Sequence, residues 1–322
     1  MIAEGEGYQI AYEELVPSSG TRRFAIVAFP RSLKHHVLLH VIFGHELGHT
    51  AQDTAAVGAL VEAQVRDVMS SVGPLSNSAA AITWIRDAAA PADIPAQLAA
   101  HRRAAGAHYE FTEQQRQSWL TEFICDLFGL LLFGPGFVAA HRVLLRPAAK
   151  NPYGLNASHP PYAVRHRMLA RSLALLGWDK PTLDDTAGRL YDAESDCLQL
   201  ISDDPYSAWA SVFTDTQLHS AIRGIQGILV NHGHLEYSQI TSETMLILLQ
   251  RLLDRLPPIA AEIEADGAPS LKSVPMAHTL YAGWVYWLGR SKITADALSF
   301  LNTNKLCDQA LVQELAISTA RT

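Results

Sequence analysis

Cysteine is scarce in this chain: there are three among 322 residues, Cys125, Cys197 and Cys307, widely spaced and odd in number. That pattern excludes a disulfide framework and points to a reducing compartment, so a cytoplasmic location is expected. An excess of positive charge is missing too. With 25 Lys and Arg against 32 Asp and Glu the formal net charge is -7, which leaves no basic surplus to neutralise phosphates, and nucleic acid is not an expected partner. No apolar run is long enough to cross a bilayer. The greasiest stretch, 123–140, is interrupted by Asp126 and by Gly134-Pro135-Gly136, so no membrane span is expected. The first residues, Met1-Ile2-Ala3-Glu4-Gly5-Glu6, are acidic and lack the apolar segment of an export signal.

What is present is a chain with 48% apolar residues, enough to build a full core. Two β-leaning runs, Tyr8–Tyr12 and Phe24–Phe29, flank turn chemistry at Pro17-Ser18-Ser19-Gly20 and predict a small hairpin or two edge strands. Ser32 is a plausible N-cap for a helix through about Asp53. Further helices are expected over 54–72, 79–89, 119–133 (ended by Gly134-Pro135) and 162–176, with a loop over 146–161. Beyond Gly177 helical spacing resumes between breaks at Pro205, Asn231-His232-Gly233, Pro257-Pro258 and Gly267-Ala268-Pro269. The chain is therefore expected to be mainly α, with a catalytic unit over 1–182 and a helical C-terminal region over 183–322 packed on or next to it.

One segment carries chemistry that can be argued residue by residue: His45-Glu46-Leu47-Gly48-His49. Histidines four apart share a helix face, so both imidazoles can reach one tetrahedral Zn²⁺ while Glu46, between them, can serve as general base. Two imidazoles and a carboxylate in an apolar helix are costly to bury unless something satisfies them.

A catalytic zinc site needs a third protein ligand. The metzincin pattern would require Gly at Gln52 and His at Ala55, so the ligand comes from elsewhere. Glu122 and Asp126, four apart in Trp119-Leu120-Thr121-Glu122-Phe123-Ile124-Cys125-Asp126, project from one face of an otherwise apolar helix. Glu122 is the best donor, and Asp126 is placed to accept a hydrogen bond from the outer nitrogen of a ligand histidine. An exposed polar stripe is the competing reading of this pair. His36 and His40 repeat the ligand spacing without a matching carboxylate pattern, which favours a structural role.

HExxH followed by ExxxD resembles the gluzincin zinc peptidases. Ser158-His159-Pro160-Pro161-Tyr162-Ala163-Val164-Arg165 looks like the His-Pro-Pro segment, with Arg six residues after His, of the CAAX prenyl endopeptidase family and its soluble relatives. The resemblance implies a zincin-like, mainly helical catalytic core holding one Zn²⁺ per chain through His45, His49 and Glu122. It implies Glu46 as the base, Asp126 as support, His159 as donor to the transition state, and Arg165 as organiser of the site through pairing with a carboxylate. Cys125 stands where that family commonly has Ala, and its familiar members carry membrane helices not expected here, so prenylated substrates do not follow.

The expected activity is hydrolysis of peptide bonds in a peptide or protein substrate, with water activated by the metal and Glu46, and with Phe24–Phe29 available to pair with an extended peptide. Two alternatives stay open at the level of sequence. One is a zinc-binding regulatory or sensory protein with a peptidase-like site and little turnover; the other is a helical interaction module in which the motif is accidental.

Overall fold

The computed structural model describes residues 2–4, 9–13, 24–29, 33–52, 58–59, 63, 113–148, 159–160, 162–178, 215–231, 233, 236–263, 269–289 and 298–320. The protein is mainly helical across them. Ser32, most of the helix expected over 54–72, all of that over 79–89, and the 182/183 boundary lie outside the described residues.

Three short strands come first: β1 (Ile2–Glu4), β2 (Gln9–Glu13) and β3 (Phe24–Phe29). Their order is β1-β3-β2, with β1 parallel and β2 antiparallel to β3. The antiparallel β2–β3 pair matches the hairpin alternative; Phe24–Phe29 is not an edge strand but the central one, paired on both sides. The end strand on the helix side is β2, which lies against the helix that follows.

That helix, α1 (Phe43–Gln52), starts later than its apolar lead-in suggests, because a 3₁₀ helix over Val37–Ile42 precedes it. Val37, Leu38, Leu39, Val41 and Ile42 are all buried and only His40 is partly exposed, so most of this segment's circumference is covered. Its peptide groups are held from far along the chain. The Leu38 N–H donates to Asn304 Oδ1 at 2.9 Å, and the Leu38 carbonyl accepts from the Trp284 indole at 2.9 Å.

α2 (Glu113–Phe133) runs through the centre of the molecule, with Trp119, Leu120, Phe123, Ile124, Leu127, Phe128, Leu130 and Leu131 buried. A helix that is apolar around its circumference is one that neighbours cover on all sides. It ends at Gly134, whose φ of 59° is open to glycine at little cost, and α3 (Pro135–Ala148) begins at once with proline in the first helical position. α3 extends through part of the loop expected over 146–161. α4 (Tyr162–Leu176) follows.

The C-terminal part contains α5 (Asp215–Asn231), α6 (Ser242–Leu253), the hairpin strands β4 (Ala260–Ile263) and β5 (Pro269–Lys272), α7 (Met276–Gly289) and α8 (Phe300–Ala320). The antiparallel β4–β5 pair departs from the all-helical expectation for this region. α7 divides two apolar clusters. Ala277, Leu280 and Trp284 join the core built on α2, while Tyr281, Ala282, Val285 and Tyr286 pack with Met245, Leu248, Leu249 and Leu252 of α6. No helix among the described residues is long and apolar enough to cross a membrane.

Candidate metal centre

α1 and α2 meet with no side-chain layer between their backbones. A Cβ on Gly48 would stand 2.7 Å from the Cα of Cys125, and one on Gly44 would stand 2.7 Å from the Cα of Gly129. Two glycines four apart line the same face of α1, which permits this approach. It brings His45 and His49 up to Glu122 and Asp126.

The Nε2 atoms of His45 and His49 are 3.1 Å apart. Glu122 reaches both, with Oε2 at 3.4 Å from His45 Nε2 and Oε1 at 3.4 Å from His49 Nε2. His45, His49 and Glu122 form a group that can hold a metal ion, each offering a ligand atom within 4.8 Å of the others.

Asp126 stands behind this group and is completely buried. Its Oδ1 accepts from His45 Nδ1 at 2.8 Å. Arg165 grips the same carboxylate as a fork, donating from Nε to Oδ2 at 2.8 Å and from Nη2 to Oδ1 at 2.6 Å. Its Nη1 also lies 3.4 Å from Glu122 Oε2. His159, just before α4, is half exposed and places Nε2 at 3.6 Å from Glu122 Oε1. Glu46 is partly buried on α1, and the charges acting on it are those of His45, His49, Glu122 and Arg165.

The donor set fits a bound cation. With Nδ1 donating to Asp126, neutral His45 turns the lone pair of Nε2 toward a carboxylate and a second imidazole nitrogen. Lone pairs so arranged repel unless a positive charge lies among them. Glu122 Oε2 is buried and has no close hydrogen bond, only the longer approaches of His45 Nε2 and Arg165 Nη1 at 3.4 Å each. Without a metal, a proton meets the need: burial depresses the His45 pKa, but hydrogen bonds to Asp126 and Glu122 outweigh it and raise the imidazole to about 9.

The remaining groups respond to the same field. Burial pushes the Glu122 carboxyl up, yet hydrogen bonds with His45 and His49 and the Arg165 charge hold it well below the usual carboxylate range. Asp126 is likewise held low, against burial, by the Arg165 guanidinium. Glu46 goes the other way: burial raises it, and the nearby histidines only partly offset that. Burial lowers His159.

The chain matches no protein-family model, no curated protein and no solved structure. The centre therefore rests on its own geometry.

That geometry brings together residues from three separated segments named by the sequence: His45, Glu46 and His49; Glu122 and Asp126; His159 and Arg165. His36 and His40 stay outside it. His36 stacks on Phe300 with ring centroids 5.5 Å apart, and His40 Nε2 donates to the Leu33 carbonyl at 3.1 Å. Cys125 is a buried packing residue under Gly48, its thiol pushed up by burial.

One residue beside the centre escaped the sequence reading. His141 of α3 is 1% exposed and places Nε2 at 3.9 Å from Asp126 Oδ2. A histidine after the apolar run Phe137-Val138-Ala139-Ala140 was the available signal, but nothing in its spacing ties it to Asp126.

Proposed function

We propose that the protein is a zinc-dependent peptidase that hydrolyses peptide bonds with Glu46 as general base. The observation that carries this reading is the convergence of His45 Nε2, His49 Nε2 and the Glu122 carboxylate, at 3.1–3.4 Å, in front of an Asp126–Arg165 pair that fixes the His45 ring. The likeness of the three sequence segments to soluble relatives of the CAAX prenyl endopeptidases supports it. Zinc, held by His45, His49 and Glu122, would supply Lewis-acid polarisation of a carbonyl and would acidify bound water toward a pKa of roughly 7.

The chain's own groups supply the rest. Glu46 takes a proton from water as the water oxygen bonds to the carbonyl carbon, and returns it to the amide nitrogen as the C–N bond breaks. Burial lifts its carboxyl from the ordinary range, which makes it a better proton acceptor at neutral pH. His159, beside Glu122 and open to solvent, is positioned to donate to the carbonyl oxygen as negative charge develops there, a contribution of about 3 kcal/mol for a well-placed donor. Asp126 and Arg165 keep His45 Nδ1 engaged, so Nε2 stays directed at the cation. An extended substrate finds its partner in β2, whose outer edge has no strand paired to it among the described residues and which lies against α1.

The test is Glu46→Gln. It should retain one zinc per chain and lose cleavage of an unstructured protein such as casein. A variant that cleaves at the parent rate overturns the mechanism.

One observation favours a second reading, a regulatory or sensory protein with little turnover. The lead-in to α1 is held by α7 and α8 through Trp284 and Asn304, which ties the centre mechanically to the C-terminal helices. Stoichiometric zinc without cleavage of any unstructured substrate would select that reading.

A further inference from the structure

His141 is buried at a place where a hydrocarbon ring would pack as well. Its ring lies 6.0 Å from Phe137, stacks on Tyr162 at 5.7 Å and an interplanar angle of 17°, and stacks on His166 at 6.2 Å and 25°. Neither ring nitrogen makes a hydrogen bond. Burying a polar group without a hydrogen bond is destabilising, so the imidazole is the less stable choice for that space unless one of its nitrogens has work elsewhere. The carboxylate that holds His45 lies 3.9 Å from His141 Nε2, and Arg165, His166 and His45 also act on the ring.

We propose that His141 is a positioning residue of the metal centre, donating from Nε2 to Asp126 Oδ2 when His45, His49 and Glu122 hold a dication. This rests on the metal-centre reading above. Asp126 divides its acceptor capacity between His45 on one oxygen and Arg165 on both. With a cation held at Nε2, the His45 Nδ1–H would be a stronger donor to Asp126 Oδ1, which it already meets at 2.8 Å. A second donor on Oδ2 keeps the carboxylate from rotating, and so keeps the His45 ring plane in place. His141 is suited to this as a neutral imidazole, which carries one N–H to donate: burial drives its basicity well below the ordinary value.

The geometry also explains why the donor comes from α3. Phe137 packs where a Cβ on Gly129 would collide with its ring, so α3 folds back over α2 and carries His141 to Asp126. Groups that orient metal ligands from behind typically change metal affinity 10- to 100-fold when removed.

The experiment measures zinc affinity by chelator competition, and the visible spectrum with Co²⁺ in place of zinc, for the full chain and its His141→Phe, His141→Gln and His141→Asn variants. Phe keeps the ring and removes the donor. Gln places an amide nitrogen near the Nε2 position, and Asn places it near Nδ1. The expected result is a fall in zinc affinity of about 10- to 100-fold for Phe and Asn, recovery of most of it by Gln, a shifted Co²⁺ spectrum for Phe, and thermal stability of the metal-free His141→Phe protein no lower than the parent's. Should His141→Phe fail to fold, Gln and Asn decide by themselves. Equal zinc affinity across the parent and all folded variants overturns the role of His141 and leaves the metal centre standing. A parent that binds no zinc overturns the centre, and the role of His141 with it.

Discussion

The backbone amide of Leu38 donates to the side chain of Asn304, 266 residues further along the chain. Both partners are buried, so removing one leaves a donor that water cannot reach. Asn304→Ala should therefore destabilise the fold by about 1–3 kcal/mol, read as a lowered urea midpoint. Because Leu38 lies just ahead of α1, zinc affinity should fall in the same variant, whereas exposed Asn302→Ala on the same helix should leave both unchanged.

Metal uptake should be linked to protons through His45. Its imidazole is raised to about 9 in the metal-free protein, so below that pH the cation must displace a proton. Apparent zinc affinity should rise about tenfold per pH unit between pH 7 and about 9 and flatten above it. Calorimetry in buffers of different ionisation enthalpy should register close to one proton released per zinc at pH 7. The same raised pKa fixes the sign for stability: the contribution from His45 in the metal-free protein is complete below the ordinary histidine value and disappears as pH rises through about 9.

Gly48→Ala should damage the centre more than the fold. The added Cβ meets backbone, the Cα of Cys125 at 2.7 Å, so α1 must move away from α2. The expected cost is about 1–3 kcal/mol, with loss of stoichiometric zinc by elemental analysis. Cys125→Ala should not rescue it, because the obstructing atom is not in the thiol side chain.

Arg165→Met should be among the most harmful single changes. It leaves Asp126, wholly inside the protein, without its fork of donors. Removing one partner of a buried ion pair costs about 3–5 kcal/mol. Arg165→Lys should recover only part of this, since an ammonium cannot reproduce the two-nitrogen grip; thermal unfolding of both variants checks the order.

Where the sequence carries its own punctuation, the fold could be read in advance. α4 spans Tyr162–Leu176 as expected, because a proline precedes it and Gly177, at φ 70°, ends it. α2 stops at Phe133 for the same kind of reason. Elements set by distant partners were not legible. α1 starts later than its local pattern implies because the 3₁₀ conformation of Val37–Ile42 is stabilised by Trp284 and Asn304, which no local pattern encodes. The pairing of Phe24–Phe29 with β2 is legible as a hairpin, whereas its second neighbour, β1, is only 3 residues long and carries no strand pattern of its own. At the site, His45, His49, Glu122 and Asp126 were legible through helical spacing, a period of four that puts each pair on one face. His141 has no such period with any of them; only the fold of α3 over α2 reveals it.

The single-residue joint at Gly134 has a consequence for how this chain can vary in length. Asp126 lies eight residues before it and His141 seven after it, so the two meet by counting outward from the turn along two helices. An insertion of one residue on either arm would rotate everything beyond it by about 100°, carrying His141 or Asp126 off the shared face. Residues 126–141 thus behave as a ruler of fixed length.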